Sequence, residues 1–196
     1  MIAPSELTLG SNYQIAFVTK GARDAFSSDI TTYNAFVRQQ AAQNTDLPVT
    51  TWWVVASAGG GIARNNAKVY ADIPIYNTAG QLVAANGNDF YSAVHLAPIS
   101  YDQFGDYWSC NPWTGMYPNG DPAQYLDFSR PATTYGVSDS LVGAWARVSD
   151  SSNRMENRSF YGLSEPIVAV PEPSTWVMGL AGLACGCWRM WRRVRA

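Results

Sequence analysis

Apolar and polar positions first fall into register at Tyr13–Thr19, where Ile15 and Phe17 share one face of an extended segment, and this predicts a strand. The period then changes. Ile30, Tyr33, Val37 and Ala41 recur at i, i+3, i+7 and i+11, which predicts a helix with Ser28 as its cap, Asp29 at the positive end of its dipole and Arg38 on the neighbouring polar face. Leu47-Pro48 ends the connection, and the apolar run Thr51–Ser57 reads as a buried strand bounded by three glycines at 59–61. Shorter strands are expected at Val69–Tyr76, Gln81–Ala84, Leu141–Val148 and Phe160–Val168, with a long loop-rich stretch over 86–135. One helix near the start, several strands and an irregular excursion predict an α+β fold: a single compact domain over 1–168 with a mainly antiparallel sheet.

After Val168 the pattern becomes that of a tail. Pro171 and Pro173 hold residues 169–174 extended as a linker, because each proline fixes its own φ and restricts the residue before it. Residues 173–188 carry no charge, and Arg189, Arg192, Arg193 and Arg195 close the chain. Sixteen helical residues reach roughly 24 Å against a hydrocarbon core of roughly 30 Å. Flanking tryptophans at the interface and snorkelling arginines extend that reach. The expectation is a short transmembrane helix within 175–196, anchored by Trp176, Val177, Met178, Leu180, Leu183 and Trp188. The arginines set its topology, in the cytoplasm, with the body on the other side of the inner membrane.

Charge and cysteine content sharpen the division. Residues 1–170 hold nine basic and fourteen acidic groups, a net of −5, which excludes the basic footprint that nucleic acid requires. Cys110 is the body's single cysteine, so no internal disulfide frames it. Charged residues make up only 14% of the chain, while tyrosine and tryptophan are abundant, which favours strands and turns over charged helices.

Pro171-Glu172-Pro173, then Ser174, an apolar stretch and an arginine-rich end together resemble the PEP-CTERM sorting signal, also described as the ice-binding protein C-terminal domain. The resemblance covers about 26 residues of the tail. It implies exosortase, a membrane protease-transferase, as the partner that reads the motif and cleaves near Pro-Glu-Pro. It also implies export through an inner-membrane intermediate with the body in the periplasm, then a cell-surface or extracellular-matrix destination linked to exopolysaccharide and biofilm. Proteins with this tail carry a secretory leader. Met1–Gly10 has neither a basic start nor an apolar run, so the expectation is a start upstream of Met1.

The body has its own likeness. A helix before a tryptophan-bearing strand, a long loop, Trp113-Thr114-Gly115 and the closing segment Phe160–Ile167 are similar to C-type-lectin-like domains. Paired cysteines and the calcium-binding triplets of that family have no counterpart in this chain, so calcium-dependent sugar binding is not implied.

Candidate chemistry is sparse. His95, the chain's single histidine, sits among apolar neighbours and reads as a packed residue. Asp102 and Asp106 are the pair that glycoside hydrolysis would use, set against ordinary loop solubility. Asn86-Asn88-Asp89 and Asn119-Asp121 are oxygen-rich clusters that read as turns, with calcium the competing reading. The three glycines at 59–61 lack the Gly-Lys-Ser/Thr of a phosphate loop. No catalytic set, metal site or cofactor is expected. Tyr107, Trp108, Trp113 and Tyr117 are the candidate ligand-facing aromatics, because exposed Tyr and Trp suit surface recognition; core filling beneath the long loop is the other reading. The expected class is a non-enzymatic structural or adhesive surface protein. A carbohydrate-binding module is the first alternative and a secreted hydrolase the second.

Overall fold

The computed structural model describes residues 7–170. Its main sheet is built around β1 (Asn12–Val18), with β2 (Trp52–Val54), β3 (Ile75–Asn77), β4 (Leu82–Ala84), β7 (Tyr161–Ser164) and β8 (Ile167–Val168). The order is β2-β7-β1-β3-β4, and β8 also pairs with β1. Only β1 and β3 run parallel; the other pairings are antiparallel. A two-stranded sheet joins β5 (Thr133–Tyr135) to β6 (Ser149–Ser151). Helices are few: α1 (Ile30–Ala41) and the single-turn α2 (Ala63–Asn66) and α3 (Gly87–Phe90). The body is therefore α+β and mostly sheet, as its hydrophobic pattern predicts.

Why β1 is central follows from its burial. Every residue from Tyr13 to Val18 is buried, so the strand is covered on both faces. Tyr13, Ile15 and Phe17 meet Tyr33 and Val37 of α1 together with Val54 and Phe160 on one side. Ala16 and Val18 meet Phe90, Ile99, Met116 and Trp145 on the other. The long excursion of residues 86–148 is thus a second covering layer built from loops, and its apolar residues fill a core that α1 cannot reach.

Helix α1 begins one residue later than its serine suggests. The cap is Asp29, not Ser28: its carboxylate accepts from Thr31 N at 2.9 Å and from Thr31 Oγ1 at 2.7 Å, which holds its pKa below the usual carboxylate value. Two strand expectations contract. The run from Val69 turns at Ala71-Asp72, so pairing starts only at Ile75. The expected strand at Leu141–Val148 is instead a 3₁₀ turn over Gly143–Trp145. There the backbone folds to insert Trp145, fully buried, and the Tyr161 hydroxyl donates to the Trp145 carbonyl at 3.0 Å.

At one outer edge of the sheet, β2 is closed by side chains rather than by another strand. Asn34 Oδ1 accepts from Val54 N at 2.8 Å, Asn66 Nδ2 donates to Val54 O at 2.7 Å, and Arg38 Nε donates to Trp52 O at 3.0 Å. These bonds occupy three backbone groups on the open edge that would otherwise template aggregation.

Candidate functional site

The expected aromatic site separates into three parts. Trp113 is not ligand-facing. It is fully buried, donates from Nε1 to Glu156 O at 3.1 Å, and packs edge-on against Tyr135. Its apolar ring belongs to the core because Thr114 and Gly115, which follow it, are bonded across to Thr134. Tyr107 and Trp108 are exposed at 59% and 36% and ride on a loop that Asp102 organises. Asp102 Oδ1 accepts from Phe104 N at 2.9 Å and from Asp106 N at 3.1 Å, and Tyr107 packs edge-on against Tyr101. Tyr117 is exposed too, but its ring partner is Arg147, at 4.9 Å. The structure therefore brings together Tyr101, Tyr107 and Trp108 in one loop and places Tyr117 with another group.

Asp102 and Asp106 do not form an open carboxylate pair. Asp102 is fully buried, and its Oδ2, lacking a hydrogen bond, lies 3.1 Å from Lys20 Nζ, which in turn sits 4.7 Å above the Trp108 ring. The ion pair accounts for that oxygen. The oxygen-rich clusters also have local uses. Asn86 caps α3, accepting from Asn88 N and Asp89 N, while Asn119 and Asp121 bond each other and Asp121 pairs with Arg64 at 2.9 Å. Among the described residues no group of three or more His, Cys, Asp or Glu is placed to hold a metal ion.

His95 is buried against Phe90 and Trp145, and its Nε2 lies 2.8 Å from Phe90 O. A carbonyl only accepts, so Nε2 carries the proton and Nδ1 is left bare, without a partner. Burial holds the imidazole pKa below 6.5 against the opposing hydrogen bond. Burial likewise raises the Cys110 thiol, which is not poised as a nucleophile.

A feature that the sequence does not advertise lies between the last turn of α1 and the segment leading into β2. A groove of about 820 Å³ opens there, with an apolar floor of Ala41 and Leu47, and Val49, fully exposed, at its lip. Arg38 lines it with its guanidinium 4.5 Å from the Trp53 ring. Periodicity places Arg38 on a polar helix face and stops there. The adjacent Trp52-Trp53 pair, one ring buried and one half-exposed, was the available signal.

Beside the start of β1 the chain prepares to leave the body. Gly10 N donates to Ala169 O and Ala169 N to Ser11 O, each at 2.8 Å, so the fold holds the backbone up to Ala169. A folded body that runs from its last strand straight into a proline-punctuated segment has the layout of a protein sorted by its tail. Residues 169–193 match the family model of the PEP-CTERM protein-sorting motif. That motif implies an exported protein, sorted through the membrane to the cell surface, with exosortase as its processing partner. No curated protein matches the chain. Pro171, Glu172 and Pro173, the anchor residues Trp176, Val177, Met178, Leu180, Leu183 and Trp188, and the cluster Arg189, Arg192, Arg193 and Arg195 lie outside the described residues. Among the described residues no helix is long and apolar enough to cross a membrane.

Proposed function

We propose that the body is a structural or adhesive component of the cell surface or extracellular matrix, associated with exopolysaccharide and biofilm and without catalytic activity of its own. The observation that carries this reading is the sorting motif that begins at the last residue the fold holds, Ala169. In this reading the tail spans the inner membrane between export and processing, with the body in the periplasm and the arginines in the cytoplasm. The assignments of Asp102 to loop organisation and of His95 to packing favour a non-catalytic role over a hydrolase. Tyr107 and Trp108 on their braced loop support the alternative reading of a carbohydrate-binding module.

The test is processing in cells that make exosortase. Glu172→Ala is expected to accumulate as the unprocessed membrane form while its body melts as the wild type does. A variant that matures to normal size and reaches the surface overturns the reading.

A further inference from the structure

The groove beside α1 holds an arginine arranged for a ligand. Arg38 uses one of its five donors, Nε, on Trp52 O at 3.0 Å, and its guanidinium lies against Trp53 at 4.5 Å. Both contacts fix the side chain before any ligand arrives, which lowers the entropy lost on binding. Among the described residues no carboxylate pairs with it. Lys20, Arg23, Arg64, Arg147 and Arg158 each have an acidic partner, at 3.1, 3.7, 2.9, 3.0 and 2.8 Å, whereas Arg38 shares with Lys68, Arg130 and Arg154 the lack of one among the described residues and alone of these lines this groove. Glu165, the acid nearest in the bonding network, is taken by Trp53 Nε1 at 2.7 Å and Tyr70 OH at 3.2 Å. Among the described residues Nε makes the one hydrogen bond of the Arg38 side chain, leaving its Nη groups without an acceptor, and the residue lines an 820 Å³ groove. That volume lies within the range of small-molecule and oligosaccharide-unit sites.

The rest of the groove narrows the chemistry. Thr45, Thr50 and Thr51 line it beside Ala41, Leu47 and Val49, so hydroxyl-bearing and apolar residues share its wall. A ligand matched to all three has a carboxylate, ring hydroxyls and a C–H face. A neutral glucan leaves the guanidinium fork unanswered, and a fatty carboxylate leaves the hydroxyls unanswered. Most carbonyls in the last turn of α1 are already bonded. Arg38 O, Gln40 O and Ala41 O are engaged by the N–H groups of Ala42, Gln43 and Asn44. The net −5 of residues 1–170 repels polyanions only from a distance, and physiological salt screens that repulsion beyond about 8 Å.

We propose that this groove binds uronic-acid units of an acidic polysaccharide, with Arg38 taking the carboxylate through its Nη groups, the threonine rim taking hydroxyls and the apolar floor taking the sugar's C–H face. The proposal rests on the matrix role given above and names the ligand class for it. Charge-assisted, forked arginine–carboxylate bonds are the strong and directional kind.

The full chain in detergent micelles, titrated calorimetrically with an oligogalacturonate and with a neutral glucan oligosaccharide of equal length, tests it. Saturable uronate binding that exceeds glucan binding is expected. Arg38→Gln should weaken it by about tenfold or more, the loss that follows from removing a hydrogen bond to a charged group. Because Arg38 also braces Trp52, Val49→Asp serves as the independent variant. Val49 is fully exposed, so the change leaves melting unaltered while setting a negative charge at the groove's lip, and uronate binding should fall. Equal affinity for the two oligosaccharides, no uronate binding, an undiminished Val49→Asp, or displacement by a short acidic peptide as effective as the uronate itself overturns the proposal. Any of these results with Glu172→Ala still blocking maturation leaves the sorted-matrix reading standing. Normal maturation of Glu172→Ala removes that reading whatever the groove binds.

Discussion

At the residue scale, the side chains that looked chemically suggestive are mostly occupied with holding loops, and one that looked idle is not. Asp102 braces a hairpin and Asn86 caps a turn, whereas Arg38 is locked beside a groove. His95 shows what such placement costs. Its imidazole is buried with Nδ1 unpartnered, and burial lowers its pKa below 6.5. The unfolded chain therefore takes up this proton first as pH falls. A neutral buried base contributes no pH dependence above 6.5 and loses stability below it, because the unfolded state binds more protons there. Thermal melts between pH 7.5 and pH 5 are expected to show a falling midpoint in the wild type and a flatter profile in His95→Gln, even if that variant starts lower. Equal slopes in the two proteins would place the titrating group elsewhere. Packing of this histidine was legible from its apolar neighbours in the sequence; the bare Nδ1 was not, because tautomer and partner depend on Phe90 and Trp145 being folded against it.

At the scale of elements, the features with regular periodicity were legible and those made by long-range fit were not. β1 and α1 declare themselves because Ile15 and Phe17 alternate and Tyr33 and Val37 recur with helical spacing. The 3₁₀ turn that carries Trp145 has no such period, since it exists to seat one ring in a core shared with Phe90 and Tyr161. The contact between α1 and the sheet also depends on a glycine. A Cβ on Gly162 would lie 2.7 Å from Phe17 Cε1 and 2.8 Å from Val37 Cγ1, so β7 can approach the helix only without a side chain there. Gly162→Ala is expected to destabilise the body by about 1–3 kcal/mol through overpacking. Val37→Asp, which buries an unpaired charge on the same contact, should cost more, whereas Ala35→Glu on the exposed face should cost little. Denaturant melts of the three variants check the order. If Ala35→Glu proved as damaging as Val37→Asp, the helix would be facing the sheet with the wrong side.

At the scale of the whole molecule, the division between body and tail is where sequence and fold meet. Charge run, prolines and apolar stretch marked the tail beforehand, but the place where the fold lets go of the chain depends on pairing between residues about 160 positions apart, which no local pattern encodes. Asn12 and Tyr13 pair with Val168 and Ile167, and Gly10 and Ser11 bond Ala169. Ala169 is itself buried, while Val168 and Val170 on either side are exposed. The sorting motif thus starts on the last clamped residue, and release of the tail should leave the body whole. A chain ended after Val170 is expected to melt as the full chain does. A chain ended after Pro166 loses β8 and both bonds of Ala169. At roughly 1 kcal/mol for each intramolecular hydrogen bond, the two Ala169 bonds alone are worth about 2 kcal/mol. For a domain of this size that lowers the melting midpoint by about 4–8 °C. Removing β8 also uncovers the outer ladder of β1 near Asn12, so the shorter chain should self-associate at concentrations where the longer one does not. Calorimetry and sedimentation on the two truncations measure both effects. Identical midpoints would mean that β8 is part of the tail rather than of the body, and the fold would then end at Ser164.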